Sequence, residues 1–377
     1  MINARRIGQL VAVPAAAIVS AFIVGAIVLI VSSPLVTGGL DLTLPLRTYY
    51  ALLSGSLLSF TAIIDTIVYA TPLILVGLAV GVGFKGGLFN IGGLGQFYMG
   101  ALAAAGVGAA LASASPLVAV PAALGAGIVA GAIYGFIPGF LKAYTGAHEV
   151  VTTIMLNYIA REIVGYAIAG PLRAQGASFA RSPDVLNAAL PVIVNPGAGH
   201  EGSLGILIPL IIVPAIWWLL FRSTIGFELR TVGANPDAAR YAGMRPRRMV
   251  VFALTLGGLL AGMAGAIEIL GRDRYMAASY SSNIGFEAIT VALLGRAHPV
   301  GIVFGGLLLG AMHAGAPAMQ SQAGTPPQMI DLLQGVILFF LAAEIVVRRI
   351  FRIRAAASGV DELGTITRTY SGQTTAS

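Results

Sequence analysis

The sequence predicts an all-α polytopic membrane protein of about ten transmembrane helices, with both termini cytoplasmic and room for broken or re-entrant helices among them. Three observations predict it. Only 10% of the 377 residues are charged, 57% are hydrophobic, and the mean hydropathy is +0.88; a soluble domain carries about 25% charged residues. Ten apolar segments approach the roughly 20 residues that span a bilayer: about 7–31, 60–83, 94–113, 117–141, 150–169, 204–221, 249–270, 284–295, 300–317 and 329–347. With the N-terminus inside and strict alternation, the inner loops hold sixteen of the 22 basic residues and the outer loops five, with Arg161 inside a span. That asymmetry is the positive-inside signature. It also explains the net charge of +7 without nucleic acid.

The first run follows Arg5 and Arg6. It is longer than the h-region of a signal peptide, so it reads as a retained helix. Residues 32–59 contain Pro34, Pro45 and the pair Tyr49-Tyr50, which suits an interfacial segment with an aromatic anchor. Where the second run gives way to the third lies Gly86-Gly87-Leu88-Phe89-Asn90-Ile91-Gly92-Gly93-Leu94-Gly95-Gln96-Phe97-Tyr98-Met99-Gly100. Glycine frees the backbone from helical dihedrals, and non-helical backbone at membrane depth occurs only where protein or a water-filled cavity surrounds it. This stretch is the first choice for a broken helix beside a polar path. The eighth run is short and opens with Asn283-Ile284-Gly285, an echo of Asn90-Ile91-Gly92. Simple alternation puts the two echoes near opposite membrane surfaces.

The fifth run places Glu149, Thr153, Asn157 and Arg161 on one slowly drifting helical face. Such residues either line a pathway or bond helix to helix. Glu287 and Thr290 sit one turn apart at the start of the eighth run. Glu268 and Arg272 form an ordinary i,i+4 pair, and Asp65 and Asp331 lie near outer helix ends. Ion coupling through these carboxylates would make a secondary transporter, a competing reading. The outer loop 170–203, rich in proline and glycine, is either a docking surface or a connector. The polar tail 355–377 has the composition of a disordered segment following a membrane domain of residues 1–354.

Chemistry inside the chain is narrowly bounded. Without cysteine there is no disulfide, thiolate metal site or cysteine nucleophile. The two lysines, Lys85 and Lys142, do not fit a phosphate-binding P-loop. The four histidines have no metal-ligand spacing, so no metal, no cofactor and no catalytic residue is expected.

The loop Arg222–Arg248 is the most informative polar stretch. Asn235, Pro236 and Asp237 supply an N-cap, a first-turn proline and an acid at the positive end of the helix dipole, and Gly243 ends the helix. A short helix over about 236–242 therefore stands in the cytoplasm, either a docking element or a plain surface helix. Gly87-Leu88-Phe89-Asn90-Ile91-Gly92 with Gly95-Gln96, Val232-Gly233-Ala234-Asn235-Pro236 through Gly243, and Gly285-Phe286-Glu287-Ala288-Ile289 through Gly295 resemble permease subunits of bacterial ABC importers, in the branched-chain amino acid/ribose-type superfamily. Glu149 through Tyr158 resembles its nucleoside (basic membrane lipoprotein-dependent) branch. The resemblance covers roughly 60–347.

It implies an inner-membrane permease that works by alternating access, in contact with lipid. Its partners would be a second permease subunit, often different in sequence, two ATPase domains that bind ATP and magnesium, and an extracytoplasmic binding protein. The loop around Asn235, Pro236, Asp237, Ala239, Arg240, Tyr241 and Gly243 would be the coupling helix, although the older Glu-Ala-Ala loop pattern is missing. A nucleoside or related ribose-containing solute would meet aromatic, amide and hydroxyl groups, of which Phe89, Asn90, Gln96, Asn157, Glu287 and Thr290 are the candidates. Simple sugars are the alternative substrate class.

Overall fold

A computed structural model of the chain describes residues 4–197, 199–280 and 282–343. Its helices are α1 (Ala4–Thr37), α2 (Leu44–Ser56), α3 (Phe60–Lys85), α4 (Gly93–Ala110), α5 (Pro116–Thr145), α6 (Glu149–Ala169), α7 (Ile208–Arg222), α8 (Thr224–Ala234), α9 (Pro236–Tyr241), α10 (Pro246–Glu268), α11 (Ile284–Leu294), α12 (Pro299–Ala323) and α13 (Met329–Ala342). Each of the ten apolar segments carries a helix, the third ending at Ala110 with residues 111–113 in a turn. Six long helices are apolar enough to cross a membrane, and α11 and α13 are shorter apolar helices. The protein is a polytopic, helical membrane protein. The tail 355–377 and the last residues of the tenth segment lie outside the described residues.

The described residues divide into two compact units, one holding those up to Ala70 and those from Leu307 to 343, the other holding Thr71–Gly306. In the first unit, α1 exposes Val19, Ile23, Ile27 and Val31 at four-residue intervals and buries Ala17, Ala21 and Leu29. The exposed stripe suits lipid, and the small buried residues admit close neighbours. The 32–59 segment does carry a helix, α2. Tyr49 turns inward, donating its hydroxyl to the Phe22 carbonyl at 2.6 Å, while Tyr50 is exposed. Buried Thr48 and Thr325 share a hydroxyl hydrogen bond of 2.8 Å. His313 stacks on Tyr69 and lies 3.3 Å from Gln334, a packing role rather than a metal site.

In the second unit the core is α10 packed on α5 and α4. Glycines at 127, 131, 135 and 139 line one face of α5; the first three meet Gly258 and Gly262 of α10, and Gly139 meets Val251 and Leu254. A Cβ on Gly131 would overlap the Gly258 carbonyl and stand 2.5 Å from the Gly262 Cα. The two helices therefore touch backbone to backbone, the arrangement small residues permit in membranes. α10 ends in a π-helical turn, Ile269–Asp273. The loop 170–203 is bonded to the chain from that turn onward through Leu190 N–H to the Leu270 carbonyl and Ser182 N–H to the Met276 carbonyl. It also folds a short antiparallel hairpin, β1 (Val192–Val194) and β2 (Gly202–Ser203).

Candidate functional site

The Gly86–Gly100 stretch is an interrupted helix. α3 closes with Gly87 at φ +69°, Leu88 N–H donating to the Gly83 carbonyl (2.9 Å) and Gly87 N–H to the Phe84 carbonyl (3.1 Å). This is the Schellman closure, which favours glycine at the left-handed position. Residues 88–92 are then non-helical until α4 begins at Gly93. Their polar groups need partners, and neighbouring amides supply them. Asn90 Nδ2 donates to Gln96 Oε1 (3.2 Å), Gln96 Nε2 donates to Asn90 Oδ1 (3.3 Å), and Gly92 N–H donates to the same Oδ1 (3.0 Å). Asn90 and Gln96 are each 1% exposed. Asn157 on α6 accepts from Gly95 N–H (2.8 Å) and donates to the Ile91 carbonyl (3.0 Å). Half-buried Phe89 packs against Phe84, 5.3 Å between centroids.

The second echo comes to the first. A Cβ on Gly285 would stand 2.8 Å from the Leu94 Cβ, so the N-termini of α11 and α4 meet inside this unit. They do not lie at opposite surfaces as simple alternation puts them. The eleven residues of α11 rise about 16 Å, roughly half of the 30 Å hydrocarbon core. Just before α11, Tyr280 stands edge-on to Tyr98 and stacks on Phe97, and Ser282 N–H donates to the Tyr98 hydroxyl (3.1 Å). Glu287 and Thr290 are buried on α11, Thr290 donating to the Phe286 carbonyl.

The predicted polar face of α6 drifts from core to surface. Glu149 and Thr153 are buried, Asn157 is half-buried and Arg161 is exposed. Glu149 pairs with Lys142 at 2.8 Å, tying the start of α6 to the end of α5. Exposed Arg161 and Glu162 stand beside exposed Tyr158, Ile159, Ile163 and Tyr166. The expected Glu268–Arg272 pair is present at 2.6 Å, across the start of the π-helical turn.

The loop between α7 and α10 holds two helices where one is predicted. Ser223 caps α8, accepting from Gly226 N–H (3.0 Å). That serine is the signal that sequence reasoning passed over. Asn235 caps α9 as expected, accepting from Asp237 N–H and Ala238 N–H, both at 3.0 Å. Gly243, at φ +81°, closes α9. Pro236, Asp237, Arg240 and Tyr241 face outward, Tyr241 being 95% exposed, whereas Ala239 is buried against its own chain. At the end of α8, Gly233 lies on the backbone of Lys85–Gly87, a contact not legible in the sequence. Among the described residues there is no group of three or more His, Asp or Glu side chains placed to hold a metal.

An interrupted helix and a half-length helix meeting among long apolar helices, with a separate capped helix presenting an outward face, fit a membrane subunit that passes a solute. The chain belongs to the branched-chain amino acid transport system / permease component family, which matches residues 62–342. It is a permease component of an ABC importer, and that family has no catalytic step of its own. It is similar to the guanosine ABC transporter permease NupP of Bacillus subtilis, with 36% identity over 89% of this chain and 94% of that protein. Similar too are the nucleoside permease NupB of Lactococcus lactis (34%; 89% and 92%) and the glucose permease TsgB13 of Haloferax volcanii (32%; 84% and 86%). No solved structure shows significant similarity to the chain.

Proposed function

We propose that this chain forms one half of the translocation pathway for nucleosides or related ribose-containing solutes, in the bacterial cytoplasmic membrane. It acts with a second permease subunit, two ATPase domains and an extracytoplasmic binding protein. The observation that carries the substrate class is similarity along nearly the whole of both chains to NupP, with NupB in support. The glucose permease TsgB13 supports a second reading, import of a simple sugar.

The geometry supports the division of labour. An arginine and a glutamate exposed midway along an apolar helix are costly in lipid. The Arg161–Glu162 side of α6 therefore faces water or the second permease. The loop 222–248 is the coupling loop, with the outward residues of α9 meeting the ATPase. Asn90, Gln96 and Asn157 act as braces of the interrupted stretch beside the path, and Phe89, Glu287 and Thr290 shape the same region.

Uptake of labelled nucleoside by cells expressing the complete transporter tests this. Excess unlabelled nucleosides should compete and free pentoses or glucose should not, and Asn235→Ala should lower uptake with the chain still in the membrane. Competition by glucose but not by nucleosides would replace the reading with the sugar one.

A further inference from the structure

Helix α8 touches the interrupted stretch that follows α3. At Gly233, three residues before α9 begins, its backbone lies on Lys85–Gly87. A Cβ on Gly233 would overlap the Lys85 carbonyl oxygen and stand 2.7 Å from both the Gly86 carbonyl carbon and the Gly87 nitrogen. A Cβ on Gly87 would stand 2.8 Å from the Gly233 oxygen and 3.0 Å from its Cα. One turn earlier, buried Leu229 places its Cδ1 3.0 Å from where a Gly86 Cβ would be. On another side of α8, the Arg230 guanidinium lies 5.2 Å from the Phe221 ring, which is itself 5.2 Å from the ring of His298, in the loop after α11.

We propose that the contact of α8 with Gly86 and Gly87, made by Leu229 and Gly233, is the point at which movement of α9 passes to the interrupted stretch 86–92, making Leu229, Gly233 and Gly87 positioning residues for transport. The proposal rests on the reading of α9 as the ATPase contact. Side-chain contacts absorb small displacements by changing rotamer. Here no side chain lies between the two backbones. A shift at the end of α8 must be taken up by 86–92 or must break the contact. The connection to α9 is equally short. Asn235 N–H donates to the Thr231 carbonyl (3.0 Å), and the same residue caps α9 through its side chain. On the membrane side, Asn90 comes three residues after Gly87, and its amide pair with Gln96 adjoins Asn157 of α6. Every link from α9 to α6 is thus a backbone contact, a hydrogen bond or a few residues of chain, the contiguous physical connection that coupling between sites uses.

The cysteine-free chain allows two reporters in the complex purified with its ATPase. Ala238→Cys on exposed α9 reports docking, and Ile91→Cys reports the interrupted stretch. Both are labelled with a membrane-impermeant maleimide, without nucleotide and with ATP trapped on the ATPase. The expectation is that Ala238→Cys is protected by the ATPase and that ATP changes the labelling rate of Ile91→Cys by about tenfold, within the usual range of coupling between sites. Adding Gly233→Ala should remove the Ile91→Cys response and leave Ala238→Cys protected. Leu229→Ala withdraws a contact from Gly86 without adding an atom. It should shrink the same response, and it serves where Gly233→Ala fails to insert. A full response in either inserted variant, or none in the parent, overturns the proposal. An unprotected Ala238→Cys overturns instead the assignment of α9 to the ATPase.

Discussion

Two glycine-to-alanine exchanges on α5 should have opposite consequences, because one methyl meets backbone and the other meets nothing. On Gly131 the new Cβ would overlap the Gly258 carbonyl oxygen and stand 2.5 Å from the Gly262 Cα and 2.8 Å from its nitrogen. On Gly125, in the same helix, nothing lies within 4 Å. Both exchanges gain about 0.5–1 kcal/mol because alanine loses less backbone entropy in a helix. Ordinary carbon contacts need about 3.5–4.0 Å, so Gly131→Ala forces α5 and α10 apart by roughly an ångström. Overpacking of this kind costs about 1–3 kcal/mol, and here neither neighbouring atom belongs to a side chain that can rotate away. Gly131→Ala should therefore be less stable than Gly125→Ala by about 2–3 kcal/mol, roughly 30- to 150-fold in the folded-to-unfolded ratio. Equilibrium unfolding of the two variants in mixed micelles across a range of SDS fractions, followed by helical circular dichroism, measures the difference. Coincident unfolding curves, or a weaker Gly125→Ala, would refute the backbone contact between α5 and α10.

The other expectations concern single side chains. Asn157→Ala leaves the Gly95 N–H and the Ile91 carbonyl without their side-chain partner. Each unmet group costs about 1–3 kcal/mol when buried, so the same SDS titration should shift to lower SDS while the KM of uptake stays unchanged. A raised KM at unaltered stability would mean instead that Asn157 touches the solute. Outside the membrane segments, hydrogen bonds from the Thr43 hydroxyl and N–H, aided by Arg47, hold the Asp41 carboxyl below its ordinary pKa of 3.8. A depressed carboxyl pKa gives stability that is complete above the ordinary value and lost as pH falls through the lowered one. Hydrogen-exchange protection at the start of α2 should therefore fall only below about pH 3.8, and Asp41→Asn should remove that dependence. Loss of protection beginning near neutral pH would sink this account.

Much of the fold was legible because the bilayer limits the choices. A chain whose backbone groups must satisfy each other in lipid can cross only as helix or closed barrel, so each of the ten apolar runs carries a helix. The caps at Asn235 and Gly243 were legible for a local reason, since N-cap side chains and left-handed glycines act within a few residues. Helix α8 was harder to see. Gly226 and Gly233 lower its helix propensity, and only the cap at Ser223 marks its start. The meeting of the two Asn-Ile-Gly echoes was hidden by alternation itself, which counts each run as a full crossing although α11 spans about half of one. Residue type also could not separate two roles for Asn90 and Gln96. An amide beside a solute and an amide bonded to another amide look the same in sequence, and these two are bonded to each other.

The two kinds of contact in the second unit differ in how readily they can be exchanged, and that difference bears on which part moves. Where α5 crosses α10, backbone meets backbone over four successive turns of glycine on α5. Such packing can separate only by losing close contacts that nothing else can replace. The interrupted stretch 86–92 is held instead by amide groups that bond to each other at 3.2 and 3.3 Å. An amide that leaves one partner can find another on water, on a solute or on a neighbouring carbonyl, and the net difference is about 1 kcal/mol. A transporter that alternates between two states needs states separated by a few kcal/mol. Exchange of amide partners lies within that range, and opening a glycine crossing along its length exceeds it. The crossing should therefore stay fixed between the two states, and the stretch joined to α8 through Gly87 should be the part that moves.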